Sequence, residues 1–174
     1  SLLEKSAASE AQVKVVARDS EIGKFDVKAN AYIDVTKADV KDLAVSTVDT
    51  EQRMEVRVVG FNGNAAVDLN KGNRTYNAPL NLKFRDSDVK SLAVEGKEYF
   101  YVEGTNSNVD TMVVSDANYV STYIDTDTLV LDEAAKNVDV RVYSDIDKLE
   151  VAGDKNDIIL PVCASVEAAD VTGT

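Results

Sequence analysis

The chain has no histidine and no tryptophan, a single cysteine, two prolines and eight glycines in 174 residues. Each shortage excludes a class of chemistry. Without histidine there is no Ser-His-Asp or Cys-His nucleophilic site, no His-ligated zinc and no imidazole proton shuttle. One cysteine excludes an intrachain disulfide and a cysteine-rich metal centre. Cys163 lies in the apolar run Leu160-Pro161-Val162-Cys163-Ala164, where a buried, inert thiol is expected. The glycines are scattered and form neither a P-loop nor a dinucleotide fingerprint, so nucleotide chemistry is not expected. There is no run of about 18 apolar residues to span a bilayer. The start, Ser1-Leu2-Leu3-Glu4-Lys5-Ser6, has neither the basic nor the apolar region of a signal peptide; cytosolic synthesis and a secreted chain with its signal removed both fit. Basic residues are also scarce, 19 against 31 acidic, for a formal charge of -12. That charge repels nucleic-acid phosphate and anionic lipid, so the expected partners include neither nucleic acid nor an inserted membrane.

What is abundant is alternation of apolar and polar residues with period two, rich in β-branched side chains. Phe25, Val27, Ala29, Ala31, Ile33 and Val35 form one stripe, with Asp26, Lys28, Asn30, Tyr32 and Asp34 between them. Similar runs recur to about residue 166, including Met54 to Phe61, Leu80 to Phe84, Tyr99 to Val102, Val138 to Tyr143 and Leu149 to Ala152. Many short strands separated by turn residues predict an all-β fold with little helix, an antiparallel β-sandwich of Greek-key or jelly-roll type. Residues 1–18 are read as an N-terminal arm or first strand and 19–174 as one sandwich domain. The expected core includes Phe25, Val27, Ile33, Val35, Leu43, Val45, Val56, Val58, Leu92, Val94, Val140, Val142, Leu149 and Val151. Asn62-Gly63 predicts a type I′ hairpin turn, Asp132 to Asn137 a single helical turn, and Ser1 to Gln12 a short helix or an extended arm.

One phrase occurs three times: Ala38-Asp39-Val40-Lys41-Asp42-Leu43-Ala44-Val45, Ser87-Asp88-Val89-Lys90-Ser91-Leu92-Ala93-Val94 and Ser144-Asp145-Ile146-Asp147-Lys148-Leu149-Glu150-Val151. It reads as an Asp-containing turn leading into a strand, with Asp39, Asp88 and Asp145 accepting backbone N–H groups. The spacings, 49 and 57 residues, are too uneven for a strict repeat array.

Paired carboxylates are the remaining catalytic device, since two of them can hydrolyse a glycosidic bond without histidine. Asp86 and Asp88, Asp125 and Asp127, and Asp145 and Asp147 are such pairs. Turn acids in an acidic protein are usually solvated, so no catalytic residue is assigned and no enzyme is expected. Ca²⁺ is the one ion the acids suit, through Asp125 and Asp127 with Asp110 or Asp116; no metal or cofactor site is assigned. Asn73-Arg74-Thr75 matches a glycosylation sequon. Tyr99-Phe100-Tyr101 with Tyr119 and Tyr123 read as two-faced strands or as an aromatic patch.

These features lead to a non-enzymatic structural protein that self-associates or joins other structural subunits. A virion component such as a phage capsid decoration is the first expectation. An extracellular filament or surface-layer subunit that donates a strand is the alternative, and a carboxylate-dependent glycoside hydrolase the weakest. Val13, Val15 and Ala17 are the candidate interface, on an arm reaching a neighbour.

Overall fold

A computed structural model of the chain describes residues 2–4, 12–47, 53–69 and 80–173. The strands are β1 (Leu2–Glu4), β2 (Val13–Lys28), β3 (Ala31–Ser46), β4 (Met54–Val59), β5 (Asn62–Asp68), β6 (Leu80–Arg85), β7 (Asp88–Leu131), β8 (Asp139–Val142), β9 (Ile146–Val151), β10 (Asp157–Ile159) and β11 (Val166–Val171). The described residues contain no helix.

Every strand pairing is parallel. The chain winds as a β-solenoid of about seven turns, which overturns the expected antiparallel sandwich. Each turn lays one segment on a first face and one on a second. On the first face the ladder runs from the start of β2 through the start of β3, β4, β6, part of β7 and β8 to β10; on the second, β3 pairs β5, β5 pairs β7, β7 pairs β9 and β9 pairs β11.

The alternation itself reads correctly. All 14 expected core residues are buried, and the coil stacks them in rows. Ala31, Val56, Leu82 and Val102 lie in register on the first face. Leu43, Ala65 and Leu92 do so on the second, as do Leu129, Leu149 and Ala169 further along. A solenoid keeps one face of each strand on the core and the other in water, the same pattern an antiparallel sheet shows. Period two therefore reports inside and outside but not strand direction.

The uneven spacing of the repeated phrase also has its cause here. Paired residues lie 18 apart at Val13 and Ala31, 25 at Ala31 and Val56, 26 at Met54 and Leu80, and 20 at Leu80 and Phe100. The longer turns contain residues 48–52 and 70–79, which lie outside the described residues together with the sequon at Asn73. Asp39, Asp88 and Asp145 all sit at the corner leading onto the second face, separated by two turns and then three.

Asn62-Gly63 forms no hairpin. Both residues belong to β5, in register with Asp88 and Val89. A Cβ on Gly63 would lie 2.4 Å from the Lys41 carbonyl oxygen and 2.7 Å from that of Val40; here a strand glycine marks close approach of another backbone. Left-handed residues instead mark the corner from the first face to the second: Asp19, Asp86 and Asn106 have φ of 50°, 50° and 51°, a conformation Asn and Asp tolerate. Asn106 Nδ2 donates to Asp86 Oδ1 at 2.8 Å, tying one corner to the next.

Asp132 to Asn137 is a turn, not a helical one. Ala135 N–H donates to Asp132 O at 3.0 Å and Ala134 N–H to Asp132 Oδ1 at 2.9 Å. The expectation of a buried Cys163 also fails, because the residue is exposed on the corner between β10 and β11. The native protein should therefore titrate one thiol per chain with a disulfide reagent in the absence of denaturant; reaction only after unfolding would contradict this placement.

Candidate functional site

Three surfaces of the coil carry side chains that can act on something else: the acidic corner, the first face and the two ends. At the corner, the Asp pairs at 86 and 88, 125 and 127, and 145 and 147 line up along the axis. Lys90 Nζ bridges two acids, 2.7 Å from Asp88 Oδ2 and 3.7 Å from Asp110 Oδ2. Burial, and then the carboxylates of Asp110, Asp147 and Asp88, hold the Asp127 carboxyl above its ordinary range. A raised carboxylate binds its proton more tightly in the fold than in the unfolded chain, so its charge opposes folding at neutral pH and this penalty fades as the pH falls. Asp127→Asn should thus melt slightly higher than the native chain at pH 7, and the gain should shrink towards an aspartate's ordinary pKa of about 4. A lower melting temperature at pH 7 would mean the carboxylate makes a favourable contact.

The structure brings Asp127 near Asp110 but puts Asp116 on the opposite corner, paired with Lys97. Among the described residues no three His, Cys, Asp or Glu side chains gather as metal ligands. The turn-capping expected of Asp39, Asp88 and Asp145 is redistributed. Asp145 Oδ1 accepts from Ser165 N–H at 3.2 Å and Ser165 Oγ at 2.6 Å, one turn further on, while Asp88 is engaged by Lys90. A local cap of this kind is made by Asp34, whose Oδ1 accepts from Thr36 Oγ at 2.7 Å and from Thr36 N–H at 3.0 Å. These two bonds hold its carboxyl below the ordinary range.

The first face presents tyrosines. Tyr32, Tyr99, Tyr101, Tyr119, Tyr123 and Tyr143 all project from it, and Phe100 between two of them points into the core with no exposed surface. Tyr123 and Tyr143 stack at 4.5 Å, Tyr99 meets Tyr119 edge-on at 5.3 Å, and Arg141 lies over the Tyr119 ring at 5.5 Å. Neighbouring turns place these rings one above the other, so their faces are largely spent on each other. Beside them Glu55 holds both Arg57 and Lys83, and Lys83 reaches Glu103 at 3.1 Å. Burial raises the Glu55 pKa, but the hydrogen bond from Arg57 and the charge of Lys83 outweigh it and leave the carboxyl below its usual range. Most rings and charges of this face are paired with one another, while Asn81 Oδ1 and Ser121 Oγ are buried on it without a hydrogen-bond partner among the described residues.

The ends differ from everything between them. Core residues in the middle turns are essentially inaccessible, whereas the inward residues Val15, Ala17 and Ile22 of the first turn and Ile158 and Val166 of the last are only partly buried. Val171, at the end of β11, is 63% exposed, and Ile159, Leu160 and Val162, on β10 and the corner after it, are exposed too. Among the described residues β10 pairs only with β8, and β11 only with β9, so each has one edge that no described strand pairs. The candidate interface residues Val13, Val15 and Ala17 lie on β2, where Val13 and Val15 pair with Ala31 and Ile33 and form the opening row of the coil. The exposed row at the other end escaped the sequence reading, because Ile158 to Val166 shows the same apolar signature as an interior strand.

Comparison with protein-family models, with curated proteins and with solved structures gives no significant match. Function has to be read from the surfaces alone.

Proposed function

We propose that this chain is a non-enzymatic structural module, a β-solenoid that works as part of a larger assembly through the ends of its coil. The supporting observation is the exposed apolar row and unpaired strand edge of the last turn. Monomeric proteins usually cover, charge or bulge such edges, because an open strand edge is a template for further pairing. A coil open at its ends propagates along its axis, so an extracellular fibre or surface array is the setting supported best. A capsid decoration sits as separate copies on a preformed shell and gains nothing from these ends. Strand donation into a groove is not the mechanism, because it needs an incomplete antiparallel sandwich; edge-on continuation of a parallel ladder takes its place.

The test is to recover the native chain from its source and determine its size and neighbours by fractionation and electron microscopy. Recovery in fibres, surface arrays or particles is expected. A pool made up only of free monomer would overturn the proposal.

A further inference from the structure

We propose that a second copy of this chain docks its first turn onto the last turn of its neighbour, head to tail, so that the parallel coil continues across the junction. This rests on the assembly reading above and names the partner.

Shape is the first reason. The strand ladders of the two faces repeat from turn to turn, although the corners between them differ in length, so the coil presents related strand edges at its two ends. The inward row through Val140 and Ile158 and the row through Val151 and Val171 run to the last turn. In the first turn Val13 begins the row that runs through Ala31, Val56, Leu82 and Val102, and Val27, which β1 covers, begins the row through Val45, Val67 and Val94. Set in the same sense, the opening strand Val13–Val16 continues the first-face ladder at the C-terminal end of β10, in the rows that reach the last turn at Leu160 and Val162. The free edge of β11 then meets β1, which already pairs with Asp26–Lys28. The half-covered apolar residues of the two facing turns then cover one another, and β1 meets the C-terminal part of the β11 edge.

Charge is the second reason, and it selects the polarity. Residues 153–173 carry one basic side chain, Lys155, and four acidic ones, whereas residues 12–30 carry four basic and three acidic. In a chain of charge -12, two last turns facing each other would concentrate acids, and a first turn on a last turn would not. A heterologous contact of this kind does not close on itself, and it generates a filament.

The test uses the full chain and two variants blocked at opposite ends. Val171→Lys places a charge on an exposed position of the last turn, and Val15→Lys does so on the opening row; circular dichroism checks that each keeps its strand signal. By sedimentation, the native chain should form a concentration-dependent series of species beyond the dimer. Each blocked chain alone should stay monomeric, and an equal mixture should give dimers and nothing larger, since one intact junction remains per pair. Independently of those variants, Ser20→Cys puts a thiol at the first-turn corner corresponding to that of Cys163. Diamide oxidation should then yield a peptide linked between Cys163 and the new thiol, and the added change Cys163→Ser should abolish it. The inference fails if the mixture stays monomeric with both variants folded, if either blocked chain alone still extends, or if only Cys163 to Cys163 links form. If the native chain is recovered in assemblies where another protein covers both ends, this inference fails while the assembly reading stands; recovery as free monomer sinks both.

Discussion

Truncating Leu92 to alanine should destabilise the chain by about 3 to 5 kcal/mol, whereas Leu149→Ala should cost about 2 kcal/mol, near the low end for such changes. Both leucines occupy the same position in the repeated phrase, and the sequence treats them alike. Leu92 has no exposed surface and lies in register with Ala65 in the middle of the coil; Leu149 keeps 6% of its surface and is stacked against Ala169 in the last turn. A cavity in a central turn cannot collapse, because rigid backbone continues above and below it, while the last turn can settle inwards. Solenoid turns also contribute to stability roughly as a chain of nearest-neighbour terms; Leu149 has a turn on either side, at Leu129 and Ala169, but the outer one is the half-open last turn, so the interface it can weaken there is the smaller. Denaturant titration of both variants gives the comparison, and equal losses would mean the end turn is as tightly held as the centre.

The second large effect is expected at Gly153. An alanine Cβ there would lie 1.9 Å from the Ala135 carbonyl oxygen and 2.6 Å from that of Asp132. Neither obstacle is a flexible side-chain tip. Both are backbone of a corner held by Asn137 N–H to Asp154 O, and by Asn156, whose side chain accepts from Val138 N–H at 2.9 Å and donates to Ala135 O at 2.9 Å. To admit a methyl group, two successive corners must separate, so Gly153→Ala should cost about 4 kcal/mol, among the larger losses seen for single substitutions. Gly23→Ala is the matched control. Among the described residues nothing lies within 4 Å of its added Cβ, and relief of glycine's excess unfolded-state entropy should make it neutral or stabilising by up to about 1 kcal/mol. If the two variants melt together, glycine at 153 is not there for close packing of the corners.

The corrections to the sequence reading share a physical origin. Asn62-Gly63 carries the composition of a hairpin turn and the composition of a strand that another backbone approaches closely; only the position of the Lys41 carbonyl separates the two. The apolar Leu160 to Ala164 run reads as interior, yet burial needs a covering turn, and here none of the described residues covers it. The 49- and 57-residue spacings hide a coil because turns of unequal length, stretched by residues 48–52 and 70–79, break the period without breaking the stacking.

By itself the sequence determined that this is a β protein with no histidine chemistry and no intrachain disulfide, which residues of its alternating strands face inwards, and that Val13, Val15 and Ala17 form an apolar row near the start. These properties are local: alternation, β-branching and residue chemistry act within a few positions of the chain. The direction of pairing, the identity of each strand's neighbour and the exposure of the last turn were decided only in three dimensions. Parallel and antiparallel ladders accept the same alternating side chains, so what separates them is the path of the chain between strands, and whether a strand is interior or an edge depends on what stacks on it.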